Sequence, residues 1–94
     1  MATSKIRIGS IPSRDLGVVT DLNITDRVIG GISHFTFTSG AKNAPWTSSG
    51  GHGILFVNAD SANFGIEVAV SDAGIKARNL RSGTFGSWTS ITSL

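Results

Sequence analysis

Gly53-Ile-Leu-Phe-Val-Asn58, followed by Ala59-Asp-Ser-Ala-Asn63 and Phe64-Gly-Ile-Glu-Val-Ala-Val-Ser71, decides the fold. The first run is short and continuously apolar, which suits a strand buried on both faces at the centre of a sheet. The last run alternates, with Phe64, Ile66, Val68 and Val70 on one side and Gly65, Glu67, Ala69 and Ser71 on the other. Asp60-Ser-Ala-Asn63 between them is a turn signal, so the two runs are expected to form a hairpin.

Working outward, Asp72-Ala-Gly74 supplies a second tight connection, with Gly74 suited to the left-handed position of a three-residue loop. Ile75-Lys-Ala-Arg-Asn79 continues the meander, and Ser82-Gly-Thr-Phe-Gly86 turns it into Ser87-Trp-Thr-Ser-Ile91. Upstream, Gly31-Ile-Ser-His-Phe-Thr-Phe-Thr38 places Ser33, Phe35 and Phe37 on one face, a strand with its aromatics inward. Phe56 and Phe64 are also expected on inward faces. Residues 39–51 form a loop about twice the usual connection length, and loops that long tend to be functional or disordered. Trp46 at its centre either plugs the core from the rim or is exposed for a ligand. Near the start, Lys5-Ile-Arg-Ile-Gly9 alternates like a short strand and is broken at Ser10-Ile-Pro12. Thr20–Asp26 reads as a short capped helical turn or a loop. The expectation is a mainly β chain: a small antiparallel sheet or sandwich-like knob with short turns and at most one short helix. Residues 1–20 are an N-terminal arm or attachment segment and 21–94 the knob-like domain.

Composition narrows what such a domain does. Ninety-four residues make one domain, and 39% apolar against 15% charged residues is a folding composition. There is no cysteine, so disulfides and thiolate metal sites cannot supplement a core that buries about 60–65% of the unfolded surface. Stability must come from the core or from partner subunits. No apolar run approaches the ~18–20 residues of a membrane span, and Met1–Ile8 lacks the apolar region of a signal peptide. The expectation is a soluble chain made without Sec export and without membrane insertion. Eight basic residues against six acidic give a net charge of +2. They are spread from Lys5 to Arg81, with only Lys76, Arg78 and Arg81 close together, so no nucleic-acid partner is expected.

Catalytic and metal-binding chemistry lack their parts. His34 and His52 are the two histidines, and neither lies at a ligand spacing with a carboxylate, so no metal site is expected. Glu67 is the lone glutamate, and Asp21, Asp26, Asp60 and Asp72 sit in turn-like settings where they satisfy local amides. Ser48-Ser-Gly-Gly-His-Gly53 lacks both the Lys-Ser/Thr ending and the following helix of a phosphate loop. No serine has a nucleophile-elbow motif. The chain is expected to be no enzyme, with no catalytic residues and no cofactor.

Asp21-Leu-Asn23, Asn43-Ala-Pro45, Gly53-Ile-Leu-Phe-Val57, Ile66-Glu-Val-Ala-Val70 and the closing stretch from Ile75 to Ile91 occur in an order that resembles the pyocin-knob type of tail-fibre domain. The resemblance runs from about residue 21 to the end, roughly four-fifths of the chain. Arg78, Gly83, Ser87, Trp88 and Ile91 take the places of the family's arginine, turn glycine, Ser-Trp pair and final apolar residue. Trp46, immediately after Pro45, stands where the family commonly has an aromatic slightly later. The resemblance implies a non-enzymatic module of bacteriophage tail fibres or tailspikes. Such modules are often homotrimeric, are assembled in the host cytoplasm and carried on the virion, and bind host-surface glycans or support the domains that do. Asn43, Trp46, Arg78 and Arg81, in or beside the loops 39–52 and 81–88, are the candidate glycan contacts. The N-terminal arm is the candidate contact with other virion proteins. The alternative is a capsid or collar decoration protein with no ligand of its own.

Overall fold

The computed structural model describes residues 11–92, so the strand expected over Lys5–Gly9 lies outside the described residues. Seven strands form one sheet: β1 (Ser13–Val18), β2 (Ile32–Phe37), β3 (Gly51–Val57), β4 (Gly65–Ser71), β5 (Gly74–Arg81), β6 (Thr84–Phe85) and β7 (Thr89–Thr92). The first six are neighbours in chain order, and β7 also pairs with β5. From β2 onward every pairing is antiparallel, whereas β1 runs parallel to β2. Part of the expected N-terminal arm is therefore an edge strand of the sheet. No helix occurs among the described residues. The stretch expected as a helical turn or loop, Thr20–Asp26, is irregular and is tied to the long loop by an Asp21–Lys42 bridge.

The β3–β4 hairpin forms as its sequence requires, with Leu55 opposite Glu67 and Gly53 opposite Ala69. At the next connection Ser71 pairs with Gly74, leaving a two-residue turn at Asp72-Ala73. Gly74 opens β5 instead of closing a three-residue loop, and its φ of 132° is a positive angle of the kind expected of it. Two further positive angles fall one turn later. Ser82 and Gly83 have φ 51° and 79°, the two positive angles of a type I′ turn, whose twist matches that of the β5 and β6 strands it joins.

One sheet face is covered. Across β2 to β5 it carries Ser33, Leu55, Glu67 and Arg78 in one row and Phe35, Gly53, Ala69 and Lys76 in the next. Irregular segments supply the lid. Leu22 and Ile24 come from the chain after β1, and Ala41, Ala44 and Trp46 from the long loop; all five pack on Phe35, Phe37, Leu55, Val57, Ala69 and Leu80 together with Phe85 and Trp88. The Phe35 ring lies across Gly53, where an added Cβ would collide with its edge atoms.

The other face is open, and here two expectations fail. β3 is central, as its apolar run implies, but it is buried on one side only: Leu55 and Val57 are interior while Phe56 is 46% exposed. In β4 the inward residues are Glu67 and Ala69, and Ile66 and Val70 are 45% and 43% exposed. Phe64, expected inward, is 40% exposed. Register is the cause. With Phe35 lying over Gly53, the covered side of β4 must offer the small Ala69 beside it, and a period-2 strand then turns every other residue outward. The open face consists of Ile32, Phe56, Ile66 and Asn79 in one row, His34, Ile54, Val68 and Ala77 in the second, and Thr36, His52, Val70 and Ile75 in the third.

Gly53→Ala is expected to force the Phe35 ring out of place and destabilise the fold by about 1–3 kcal/mol, the usual cost of overpacking. Thermal unfolding measures this as a fall of roughly 4–8 °C per kcal/mol for a domain of this size.

Candidate functional site

Arg78 on β5 and Glu67 on β4 face each other on the covered side. Their side chains are only 5% and 0% exposed, and Arg78 Nε donates to Glu67 Oε1 at 2.6 Å. The rest of the guanidinium reaches the lid: Nη2 donates to the Leu22 carbonyl and to Asn23 Oδ1, both at 2.8 Å. The Phe85 and Trp88 rings lie 4.3 and 4.6 Å from Cζ. A planar cation held by a carboxylate, two further acceptors and two aromatic faces is a role lysine cannot fill, because lysine lacks the fork and the stacking plane.

The same cluster fixes the long loop. Lys42 N donates to Thr20 O and Leu22 N to Lys42 O, at 2.8 and 2.9 Å. Asp21 Oδ1 accepts from Asn23 N at 2.9 Å and from Asn43 Nδ2 at 2.8 Å. The Asn43 side chain and then the Asn23 amide hold the Asp21 carboxyl below its ordinary value. Asn43 adopts φ 60°, a left-handed conformation that asparagine tolerates better than most residues. Its carbonyl accepts from Trp88 Nε1 at 2.9 Å.

Three of the four sequence-designated contacts gather here. Arg78 lies inside rather than at the surface, and its guanidinium is engaged by internal partners. Asn43 is exposed, but its amide group is held by Asp21. Trp46 is partly buried against the core cluster, with Lys76 Nζ 6.0 Å from its ring centroid and 3.5 Å from Pro45 O. It thus plugs the rim while keeping part of its ring accessible. Arg81 does not join them: it is exposed at the end of β5, in a groove with Asn58, Phe64 and Ile66. Sequence reasoning missed Glu67, Asp21, Asn23 and Trp88 as members of the cluster. The available signal was the Asp72-Ala73 turn, which sets the lone glutamate opposite an arginine.

The hydrogen bonds of this cluster tie β4, β5, the chain after β1 and the long loop to one another. Among the described residues no group of three or more His, Cys, Asp or Glu side chains could hold a metal ion. A shallow cleft of about 410 Å³ beside the cluster is lined by Leu16, Val19, Asp21, Ile24 and Asp26 among others. No family model, no curated protein and no solved structure matches the chain.

Arg78→Ala is expected to cost about 3–5 kcal/mol, because it leaves the Glu67 carboxyl buried without its partner; chemical denaturation reads the loss. Glu67 also makes stability depend on pH. Burial pushes its carboxyl from 4.5 up to about 7 against the pull of Arg78, and Oε2 has no hydrogen-bond partner. The folded protein therefore holds this proton more tightly than the unfolded chain. That contribution to stability is fully present below about pH 4.5 and is lost as pH rises through about 7, up to about 3 kcal/mol at 1.36 kcal/mol per pKa unit. Thermal melts between pH 4.5 and 7.5 are expected to show a steeper decline for the wild type than for Glu67→Gln. Identical slopes would mean that the carboxylate stays ionised throughout.

Proposed function

We propose that the chain is a non-enzymatic knob module of a bacteriophage tail fibre or tailspike, carried on the virion as a homotrimer and contacting host-surface glycans through the long loop. One observation supports the reading above others. The pieces that carry the pyocin-knob resemblance are far apart in sequence, yet Asp21-Leu-Asn23, Asn43, Glu67, Arg78 and Trp88 join in one hydrogen-bonded cluster. Residues matched in order along the chain also meet in space, and that convergence supports the reading.

In this reading Arg78 positions the loop and does not touch the ligand. The partly exposed ring of Trp46 supplies an apolar face for a pyranose, and the neighbouring Thr47 and Ser48, both exposed, supply hydroxyls for its rim. Arg81, at the opposite end of β5, serves a separate contact. The N-terminal arm meets other virion proteins. A decoration protein with no ligand is the second reading, favoured by the engagement of Arg78 and of the Asn43 amide in internal bonds.

A glycan array probed with the full chain separates the two. Binding that falls at least tenfold in Trp46→Ala, with the β circular-dichroism signature retained, is expected of the first reading. An array with no bound glycan, from folded protein in its native oligomeric state, would leave the decoration role.

A further inference from the structure

The open face of the sheet is too apolar to be a finished surface. Phe56, Ile66 and Val70 are each exposed by more than two-fifths. Together with Ile54, Val68 and His52, Phe56 and Val70 border an apolar hollow of about 290 Å³. Among the described residues the three rows hold no Lys, Arg, Asp or Glu on β2 to β5; the nearest charges stand at the margins, Asp15 on β1 beside His34 and Arg81 beyond Ile66. Large uncharged patches of this kind mark interaction sites on soluble proteins.

We propose that this face packs against the same face, or an adjoining part of it, on a second copy of the chain. Charge argues for self-association: the centre of the face is uncharged, and its margins carry one charge of each sign, Asp15 beside His34 and Arg81 beside Ile66, so two identical copies can set opposite charges against each other. Area agrees. Four strands about 4.8 Å apart and three rows about 6.8 Å apart cover about 400 Å² in plan. Two such faces remove about 800 Å² from water, and the flanking Val18, 66% exposed beside Thr36, and Phe64, beside Ile66, extend the contact toward the ~1,000 Å² expected of a specific interface. Residues 1–10 and 93–94 contain four large apolar side chains, Met1, Ile6, Ile8 and Leu94, fewer than the seven of the three rows. The inference shares with the proposed function only the expectation of more than one copy; it would hold for a decoration protein as well.

Sedimentation velocity and native mass spectrometry of the full chain between 1 and 100 µM test it. The wild type is expected to be oligomeric, and Val68→Lys, at the centre of the face, is expected to weaken association at least 100-fold with the fold intact. Ile66→Lys, at a more exposed position, gives the same readout should Val68→Lys fail to fold. A monomeric wild type would overturn the proposal, as would folded lysine variants that keep the wild-type stoichiometry. So would a monomer whose face binds a hydrophobic dye only after Ile6→Ser and Ile8→Ser, since its own N-terminal segment would then be the cover. An oligomer that binds no glycan leaves this inference standing and removes the glycan-binding role.

Discussion

A single buried guanidinium organises the covered half of this molecule. Arg78 enters a region where water cannot solvate it, so its donors must find acceptors, and those acceptors lie on different segments: Glu67 on the neighbouring strand, and Leu22 and Asn23 in the irregular chain after β1. Trp88, stacked on the same guanidinium, reaches from there to the Asn43 carbonyl. A buried ion pair adds little net stability over an apolar replacement of the same shape, and its attested use is to select one arrangement among several. Here it selects how two long loops and the C-terminal turn lie on the sheet. It does so together with the bonds from Val19 N to Thr36 O and from Ser33 Oγ to Asp26 O, which anchor the segment carrying Leu22 and Ile24 on β2.

The sheet consequently has two unlike sides. One carries Phe35, Phe37, Leu55, Val57 and Leu80, with the small Gly53 and Ala69 and the Glu67–Arg78 pair among them, and is covered by loops. The other carries Phe56, Ile54, Ile66, Val68 and Val70 and, among the described residues, has no loop over it. A chain of this size, with no cysteine, has a small core to rely on, so an apolar face left open is a large share of its available driving force. In the proposed assembly, fold and association are parts of one stability problem, with the loops completing one face and another subunit completing the other.

This division also explains what the sequence made legible. Alternation located β2 and β4, the continuous run located β3 at the sheet centre, and the polar breaks at Asp60 and Asp72 located the turns. Periodicity separates the two sides of a strand but does not say which is interior. In β4 hydrophobicity points the wrong way, because Ile66, Val68 and Val70 form the open face while Glu67 is buried. The parallel edge strand within residues 1–20 was hidden for a related reason: Ser13–Val18 is mostly exposed and shows no apolar alternation. Among the candidate contacts, Asn43 and Trp46 are legible from the long loop that carries them, and Arg78 only from the pyocin-knob resemblance. Its role differs because only the register shows that it faces Glu67. Arg81, three residues further along β5, falls on the opposite face by the same odd–even rule.

The most direct test of the organising role of Arg78 is a double-mutant cycle with Glu67, using Arg78→Met, Glu67→Leu and the double variant in chemical denaturation. Coupling of at least about 2 kcal/mol, with the double variant more stable than Arg78→Met alone, is the predicted result, since removing both charges leaves no unpaired buried ion. Additivity within about 0.5 kcal/mol would contradict it and would mean that the Arg78–Glu67 pair does not organise the covered face.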